Sequence, residues 1–192
     1  MDLSRVRLRN VIGPTSGGTA VILGNEEKNF VMYVGVYEGG AILREINNEE
    51  PARPLTHELI AFLLAGFGIE VKRIIISGIV DNTFCATLVL EQKMLDGDGE
   101  ETGTRREVRI DARPSDCIVI ALKTKSDIYV TREVMDKVKD ISEEISALQQ
   151  KENKPDPTGF QLGDLGLDLD LGEREEEEPE GEEEDESEED YL

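Results

Sequence analysis

The sequence predicts an α+β domain in which a mixed or antiparallel β-sheet packs against three to four helices, followed by a disordered acidic tail. Three observations predict it. Runs of alternating apolar and polar residues, typical of half-buried strands, recur through residues 1–150. Two apolar segments of helical length each follow the tripeptide Ala-Arg-Pro, and residues 151–192 are strongly acidic with few aromatic side chains.

The negative charge is concentrated at the C-terminal end of the chain. Residues 151–192 hold 3 Lys+Arg against 19 Asp+Glu, which gives −16 of the total −22; the other 18 Lys+Arg and 24 Asp+Glu leave −6 for residues 1–150. The charge of the whole chain therefore says little about what the domain surface binds. No apolar run approaches the ~20 residues of a membrane-spanning helix and no signal peptide is recognisable, so we expect a cytoplasmic protein.

An antiparallel meander and a short helix are expected at the start of the domain. The three strands should cover residues 5–12, 19–23 and 30–36. The first of them alternates cleanly and carries basic side chains on one face, namely Arg5, Arg7 and Arg9. The helix should span residues 37–46 and has Glu38 in its first turn.

The centre of the domain combines an apolar helix with a hairpin. Leu59 to Phe67 is the most apolar helical segment of the chain, so we expect it to be buried. Residues 69–80 and 83–91 are rich in β-formers, and Asp81-Asn82 between them is a tight-turn dipeptide that predicts a hairpin. The turn alone is enough to explain why an aspartate stands at position 81, without any role in a site.

Strand and helix alternate in the last third of the domain. Residues 105–111 predict a strand, and Pro114 then fixes a backbone angle that suits the first helical position. A last short strand should cover residues 128–130. Thr131 is a suitable N-cap for a helix from Arg132 to about Gln149.

That last helix would carry a heptad seam of apolar side chains. The seam residues are Val134, Val138, Ile141, Ile145 and Leu148. Such a seam either docks on its own domain or pairs with another subunit. Together with the apolar meander it predicts a homo-oligomer, most simply a homodimer.

The two Ala-Arg-Pro tripeptides suggest a possible internal repeat. Arg53 and Arg113 each precede a helix with a carboxylate in its first turn, Glu58 in one case and Asp116 in the other. If the repeat is real, two helix N-termini and two arginines could converge and bind an anion. A chance match, with Asp116 serving only to compensate the helix dipole, is the alternative.

The residues around these tripeptides resemble the bifunctional nuclease domain proteins of bacteria and plants over about residues 4 to 140. The matching positions are Arg53 to Leu59, Asp81 with Thr83-Phe84, Ile110 to Asp116, and Ile128 to Val130; Glu38 also matches a family position. Asn82, Cys85 and Cys117 depart from the family pattern but leave the ionic positions untouched. The resemblance implies an α+β domain with nuclease activity on both DNA and RNA.

A phosphodiesterase of low sequence specificity needs phosphate-binding cations and an activated water, commonly with Mg²⁺ or Mn²⁺ held by carboxylates. The candidate catalytic residues are His57, Asp111 and Asp116. The candidate metal ligands are Glu58, Asp81 and Asp116, and the candidate nucleic-acid-binding residues are Arg53, Arg109 and Arg113. Arg109 and Arg113 would lie ~13 Å apart on a regular strand, so they cannot hold the same phosphate.

A different class of function explains the same composition. In a non-catalytic regulatory or scaffold domain, the Arg and Asp residues of the two Ala-Arg-Pro entries would form structural salt bridges. The two cysteines, Cys85 and Cys117, have no metal-type spacing and are expected in the core.

The tail has two parts. Residues 160–171 alternate Leu with Asp and Gly, and the residues after them are almost purely acidic. We expect a short docking segment followed by a solvated polyanion. This polyanion could compete with nucleic acid for the arginines, bind a basic partner, or serve solubility alone.

Overall fold

The computed structural model describes residues 2–15 and 17–152; the expected acidic tail lies outside the described residues, apart from residues 151–152. The strands are β1 (Leu3–Thr15), β2 (Gly18–Gly24), β3 (Asn29–Val34), β4 (Ile69–Val80), β5 (Thr83–Leu95), β6 (Glu101–Ala112) and β7 (Asp127–Thr131). The helices are α1 (Val36–Ile46), α2 (Thr56–Gly66), α3 (Pro114–Thr124), α4 (Arg132–Lys137) and α5 (Ser142–Glu152). No helix in these ranges is long and apolar enough to cross a bilayer.

The strands form one mixed sheet in the order β3-β2-β1-β7-β4-β5-β6. Neighbouring strands are antiparallel except β4 and β7, which are parallel. The predicted α+β class with a mixed sheet is therefore confirmed. β7 can lie parallel to β4 because the intervening hairpin and α3 return the chain to the same end of the sheet.

The β4–β5 hairpin follows from its two turn residues. Asp81 and Asn82 have φ angles of +48° and +57°, and Val80 pairs directly with Thr83. Two consecutive left-handed residues make the two-residue turn whose twist matches that of the strands, and Asp and Asn tolerate this conformation well. The predicted hairpin is confirmed.

The core lies between one face of the sheet and α3. Ile74, Leu88 and Ile110 stand side by side across β4, β5 and β6 on this face. Cys117 and Ile118 of α3 are fully buried against it. α1 packs alongside on β2, where Gly39 is required because a Cβ would come within 2.2 Å of Thr19 Oγ1.

α2 is the helix that the sequence predicts to be buried. This prediction is wrong for the single chain. None of its residues is buried, and Phe62 is 61% exposed. Only Ile60 and Leu64 pack against the core. The reason is positional, because α3 lies on β4, β5 and β7 and leaves α2 at the margin.

The expected single helix from Arg132 to about Gln149 is also wrong, because the chain forms two helices there. Thr131 caps α4 as predicted, its Oγ1 accepting a hydrogen bond from the Val134 N–H. Val138 is extended, and the Ile141 N–H donates to Asn29 O over 2.9 Å. Val134 and Ile141 are buried within their own domain, so the heptad seam is not a continuous outer stripe.

Candidate functional site

The candidate site lies where three helices begin. Glu38, His57 and Asp116 stand in the first turns of α1, α2 and α3. Arg113 is the extended residue that directly precedes α3, and Pro114 occupies the first helical position as predicted. The order of elements thus brings together ionic side chains from three separate parts of the sequence.

Asp116 is the centre of this group. Its Oδ1 lies 3.0 Å from His57 Nε2, and its Oδ2 accepts a 2.8 Å hydrogen bond from Arg113 Nε. Burial on its own would raise the pKa of Asp116, but the hydrogen bonds from Arg113 and His57 outweigh burial and hold that pKa below its ordinary value. Asp116 is therefore an ionised acceptor at neutral pH.

The ionised Asp116 fixes the tautomer of His57. A carboxylate accepts hydrogen bonds only, so Nε2 of His57 must carry the proton that it shares with Asp116. The imidazole is 18% exposed, and its Nδ1 has no protein partner among the described residues. An oriented imidazole with a free lone pair is the arrangement of a general base.

Arg113 bridges two carboxylates. Its Nη1 donates to Glu38 Oε1 over 2.9 Å, in addition to the bonds to Asp116. The side chain is nevertheless 66% exposed, so its remaining N–H groups face solvent. Glu38 lies outside the predicted site set; its place in the first turn of α1 and its match to a family position were the available signals.

Glu58 performs a structural task in the same region. Its Oε2 accepts from the Leu55 N–H over 2.9 Å and so caps α2, while its Oε1 lies 2.8 Å from Lys123 Nζ. Lys123 also contacts Glu45 of α1. Burial alone would raise the pKa of Glu58, but the hydrogen bonds from Lys123 and the backbone lower it.

The remaining predicted residues stand apart from Asp116. Asp81 is exposed in the hairpin turn. Arg109 and Asp111 alternate with core-facing Ile110, so they lie on the face of the sheet opposite α2 and α3. Arg109 Nε donates to Glu107 Oε1 over 3.0 Å there. That Arg109 and Arg113 do not hold the same phosphate stays a prediction.

Metal binding stays a prediction. Within residues 2–15 and 17–152, no three His, Cys, Asp or Glu side chains are grouped so that they could hold an ion. Glu58, Asp81 and Asp116 therefore do not converge in this conformation, and both oxygens of Glu58 have protein partners.

Arg53 and Cys117 have contrasting environments near the site. Arg53 is exposed three residues before α2 and has no ion-pair partner in the described part of the chain. Cys117 follows Asp116 but is fully buried, and burial raises the pKa of its thiol to about 12. Arg53 is available to a ligand, whereas Cys117 is a core residue, as predicted; Cys85 is only half-buried.

Sequence comparison finds relatives and a family model that match this chain. The chain is 33% identical over 111 residues to uncharacterized proteins from two strains of Mycobacterium tuberculosis. Each alignment covers 58% of this chain, and the chain spans 59% of each relative's length. The family model for the bifunctional nuclease domain matches residues 21–143, a segment that includes the first turns of α1, α2 and α3. The chain therefore belongs to the bifunctional nuclease domain family.

Proposed function

We propose that the protein hydrolyses phosphodiester bonds in DNA and RNA with low sequence specificity, using His57 as the general base. The observation that carries the proposal is the 3.0 Å contact between His57 Nε2 and Asp116 Oδ1 beside an exposed guanidinium. In this arrangement Asp116 orients the imidazole, and Nδ1 takes a proton from water. The water oxygen then attacks the phosphorus, and the bond from phosphorus to one sugar oxygen breaks. That oxygen leaves as a hydroxyl after taking a proton from solvent, and the imidazole returns its proton to solvent.

Phosphate binding is assigned to two arginines. Arg113 is 66% exposed and keeps free N–H groups after binding its two carboxylates, and Arg53 has no ion-pair partner among the described residues. A guanidinium suits phosphate because its planar fork can donate two parallel hydrogen bonds. Contacts to phosphate carry no sequence information, which is why low sequence specificity is part of the proposal.

The proposal includes dependence on a divalent ion, Mg²⁺ or Mn²⁺. Glu38 and Asp116 supply the oxygen atoms that such ions prefer, but Arg113 lies between them in this conformation. An ion could bind both carboxylates only if the guanidinium moved. Every step above is therefore assigned to side chains of the chain itself.

The test is cleavage of single- and double-stranded DNA and RNA by the pure protein, with and without EDTA. Cleavage of DNA is the more stringent test, since DNA lacks the 2′-hydroxyl that can attack the neighbouring phosphate in RNA. His57→Ala and Asp116→Asn should each lower the rate at least tenfold while the circular dichroism spectrum stays unchanged.

Asp127→Asn is the matched control. It removes one carboxylate that pairs with an arginine, Arg5, in a different part of the sheet, and it should leave the rate unchanged. Equal rates in wild type, His57→Ala and Asp116→Asn would rule out this site and point to a contaminating nuclease. Activity that EDTA leaves intact would rule out only the metal.

A non-catalytic regulatory or scaffold domain is the second candidate. The observation that favours it is that Lys123 and Arg113 each bind two carboxylates, as structural ion pairs do. Folded wild-type protein without cleavage of any of the four substrates, with and without added Mg²⁺ or Mn²⁺, would support this candidate.

A further inference from the structure

α2 is apolar on the side that it turns away from its own domain. Ile60 and Leu64 face the core, but Leu59, Phe62 and Leu63 are 53%, 61% and 51% exposed. A helix on the surface of a monomeric domain ordinarily has a polar outer face, whereas a helix that is apolar all round is ordinarily buried. The outer face of α2 therefore requires a covering partner.

The sheet face on which α2 lies also exposes apolar side chains on the edge strand β6. Val108 and Ile110 pair with Leu90 and Leu88, so they share the sheet face on which α2 lies, yet they are 41% and 43% exposed. The C-terminal end of α2 is held over neighbouring β5, because Gln92 Nε2 donates to Phe67 O over 2.9 Å. We call this surface the α2–β6 patch: Leu55, Leu59, Phe62, Leu63, Phe67, Val108 and Ile110.

The size of the patch matches that of a stable interface. Phe62 and Phe67 together expose roughly 200–300 Å², taking ~150–250 Å² per aromatic side chain. The five aliphatic members, 41–53% exposed, add roughly 150–300 Å² at the usual transfer coefficient. A standard interface buries ~800 Å² per partner, of which about 450–500 Å² is non-polar.

We propose that the α2–β6 patch binds the same patch of a second copy in a twofold dimer. The charge distribution selects this occupant. Residues 1–150 carry only −6, and α2 has no charged residue from Leu59 to Gly66, so two copies can meet at this face without bringing like charges together. A twofold contact uses one patch twice and therefore needs no complementary partner surface.

The Leu-rich segment of the same chain, residues 160–171, fits the patch less well. It contains Asp164, Asp168 and Asp170 within a short stretch, and none of the seven side chains that form the patch carries a positive charge. Burying unpaired carboxylates against apolar side chains is unfavourable, because the charged groups lose their hydration without gaining a partner. A second copy brings no such charge.

The experiment measures the mass of the full-length protein by light scattering and sedimentation at about 10–50 μM, a range in which complexes of standard interface size are populated. Wild type should contain two chains per particle. The Phe62→Glu variant should contain one chain per particle. Its circular dichroism spectrum should be unchanged, because Phe62 is 61% exposed in the single chain and contributes little to the stability of that chain.

Tyr37→Glu is the control, since it places the same charge at an aromatic residue that is 91% exposed on α1, outside the patch. This variant should remain dimeric. Wild type that stays monomeric over the whole concentration range overturns the proposal, as does a Phe62→Glu variant that still dimerises. A monomeric wild type whose melting temperature drops on Phe62→Glu substitution would assign the patch to a segment of the same chain instead.

Discussion

His57 Nε2 and Asp116 Oδ1 lie 3.0 Å apart although 59 residues separate them in the sequence. The contact joins the first turns of the two helices that the Ala-Arg-Pro tripeptides introduce. An internal pattern of three residues was thus enough to indicate two helix N-termini that lie next to each other. It could not show that α1 would bring Glu38 to the same place.

Arg113→Ala tests whether this arginine stabilises the fold or binds the phosphate of the substrate. Buried ion pairs lose about 3–5 kcal/mol when one partner is removed, but exposed pairs lose only ~0–1 kcal/mol. The Arg113 side chain is 66% exposed, so the variant should stay folded, with a loss of about 1 kcal/mol in the free energy of unfolding. Its rate of nucleic-acid cleavage should nevertheless fall at least tenfold.

Urea unfolding and the cleavage assay on the same preparation separate the two outcomes for Arg113→Ala. Arg132→Ala is the control, because Arg132 is similarly exposed and also pairs with aspartates, Asp2 and Asp136. Its stability and its rate should both remain close to wild type. An Arg113→Ala variant that fails to fold would favour the scaffold candidate.

Features fixed by a few adjacent residues could be predicted from the sequence. Asp81 and Asn82 can adopt positive φ angles at little cost, so the hairpin turn followed from residue type. Thr131 and Pro114 mark helix starts by the same local logic.

Features fixed by distant contacts could not be predicted in this way. The break between α4 and α5 is accompanied by the bond from the Ile141 N–H to Asn29 O, which ties the residue before α5 to the first residue of β3, far away in the sequence. The apolar heptad pattern continues through this break, since Val134 and Ile141 are seven residues apart, so the pattern alone predicts one continuous helix. Whether α2 or α3 occupies the centre of the sheet is likewise a matter of topology that apolar content does not decide.

Lys123→Met should destabilise the domain without acting on the reaction directly. Lys123, Glu45 and Glu58 have side chains only 15–17% exposed, so removing the ammonium leaves two poorly hydrated carboxylates without a partner. We expect a loss of about 2–4 kcal/mol in the free energy of unfolding, near the lower end of buried ion pairs. Chemical unfolding measures it.

Lys137→Met is the matched control for Lys123→Met, because Lys137 pairs with Glu133 one helical turn away on the surface. It should change stability by no more than about 0.5 kcal/mol. If the two variants were equally stable, the Glu45–Lys123–Glu58 contacts would have no structural importance.

Stability should fall in acid partly through Asp116. Its pKa in the folded protein lies below the ordinary value of 3.8, because the hydrogen bonds from Arg113 and His57 outweigh the opposing effect of burial. The corresponding stabilisation is present above pH 3.8 and is lost as the pH falls through the folded-state pKa. Glu58 acts in the same direction below its ordinary value of 4.5.

The free energy of unfolding of Asp116→Asn should therefore vary less with pH below about pH 4 than that of wild type. Asp81→Asn serves as control, since Asp81 lies in an exposed turn and asparagine suits the same conformation. Its curve should run parallel to that of wild type. Parallel curves for Asp116→Asn as well would mean that the ion pair adds nothing to the folded state in solution.

The acidic tail is expected to weaken nucleic-acid binding. The chain from Glu173 to Asp190 contains a single cation, Arg174, among closely spaced carboxylates. Such a polyanion can occupy the arginines that a phosphate backbone would otherwise contact, and both interactions weaken as salt screens them. Truncation after Lys154 should therefore tighten binding at low salt.

The size of that effect depends on how many cations are accessible. The basic groups concerned are Arg5, Arg7, Arg9, Arg53, Arg109 and Arg113. Arg53 and Arg7 are exposed and have no ion-pair partner in the described segments, whereas Arg109 is already paired with Glu107. Competition at the two unpaired positions predicts about a tenfold difference in Kd between full-length and truncated protein at low ionic strength, and this difference should disappear as salt is raised.

Fluorescence anisotropy with a labelled single strand, measured over a salt series, gives the Kd of the full-length and of the truncated protein. Equal binding at the lowest salt would exclude competition and leave a basic partner or solubility as the role of the tail.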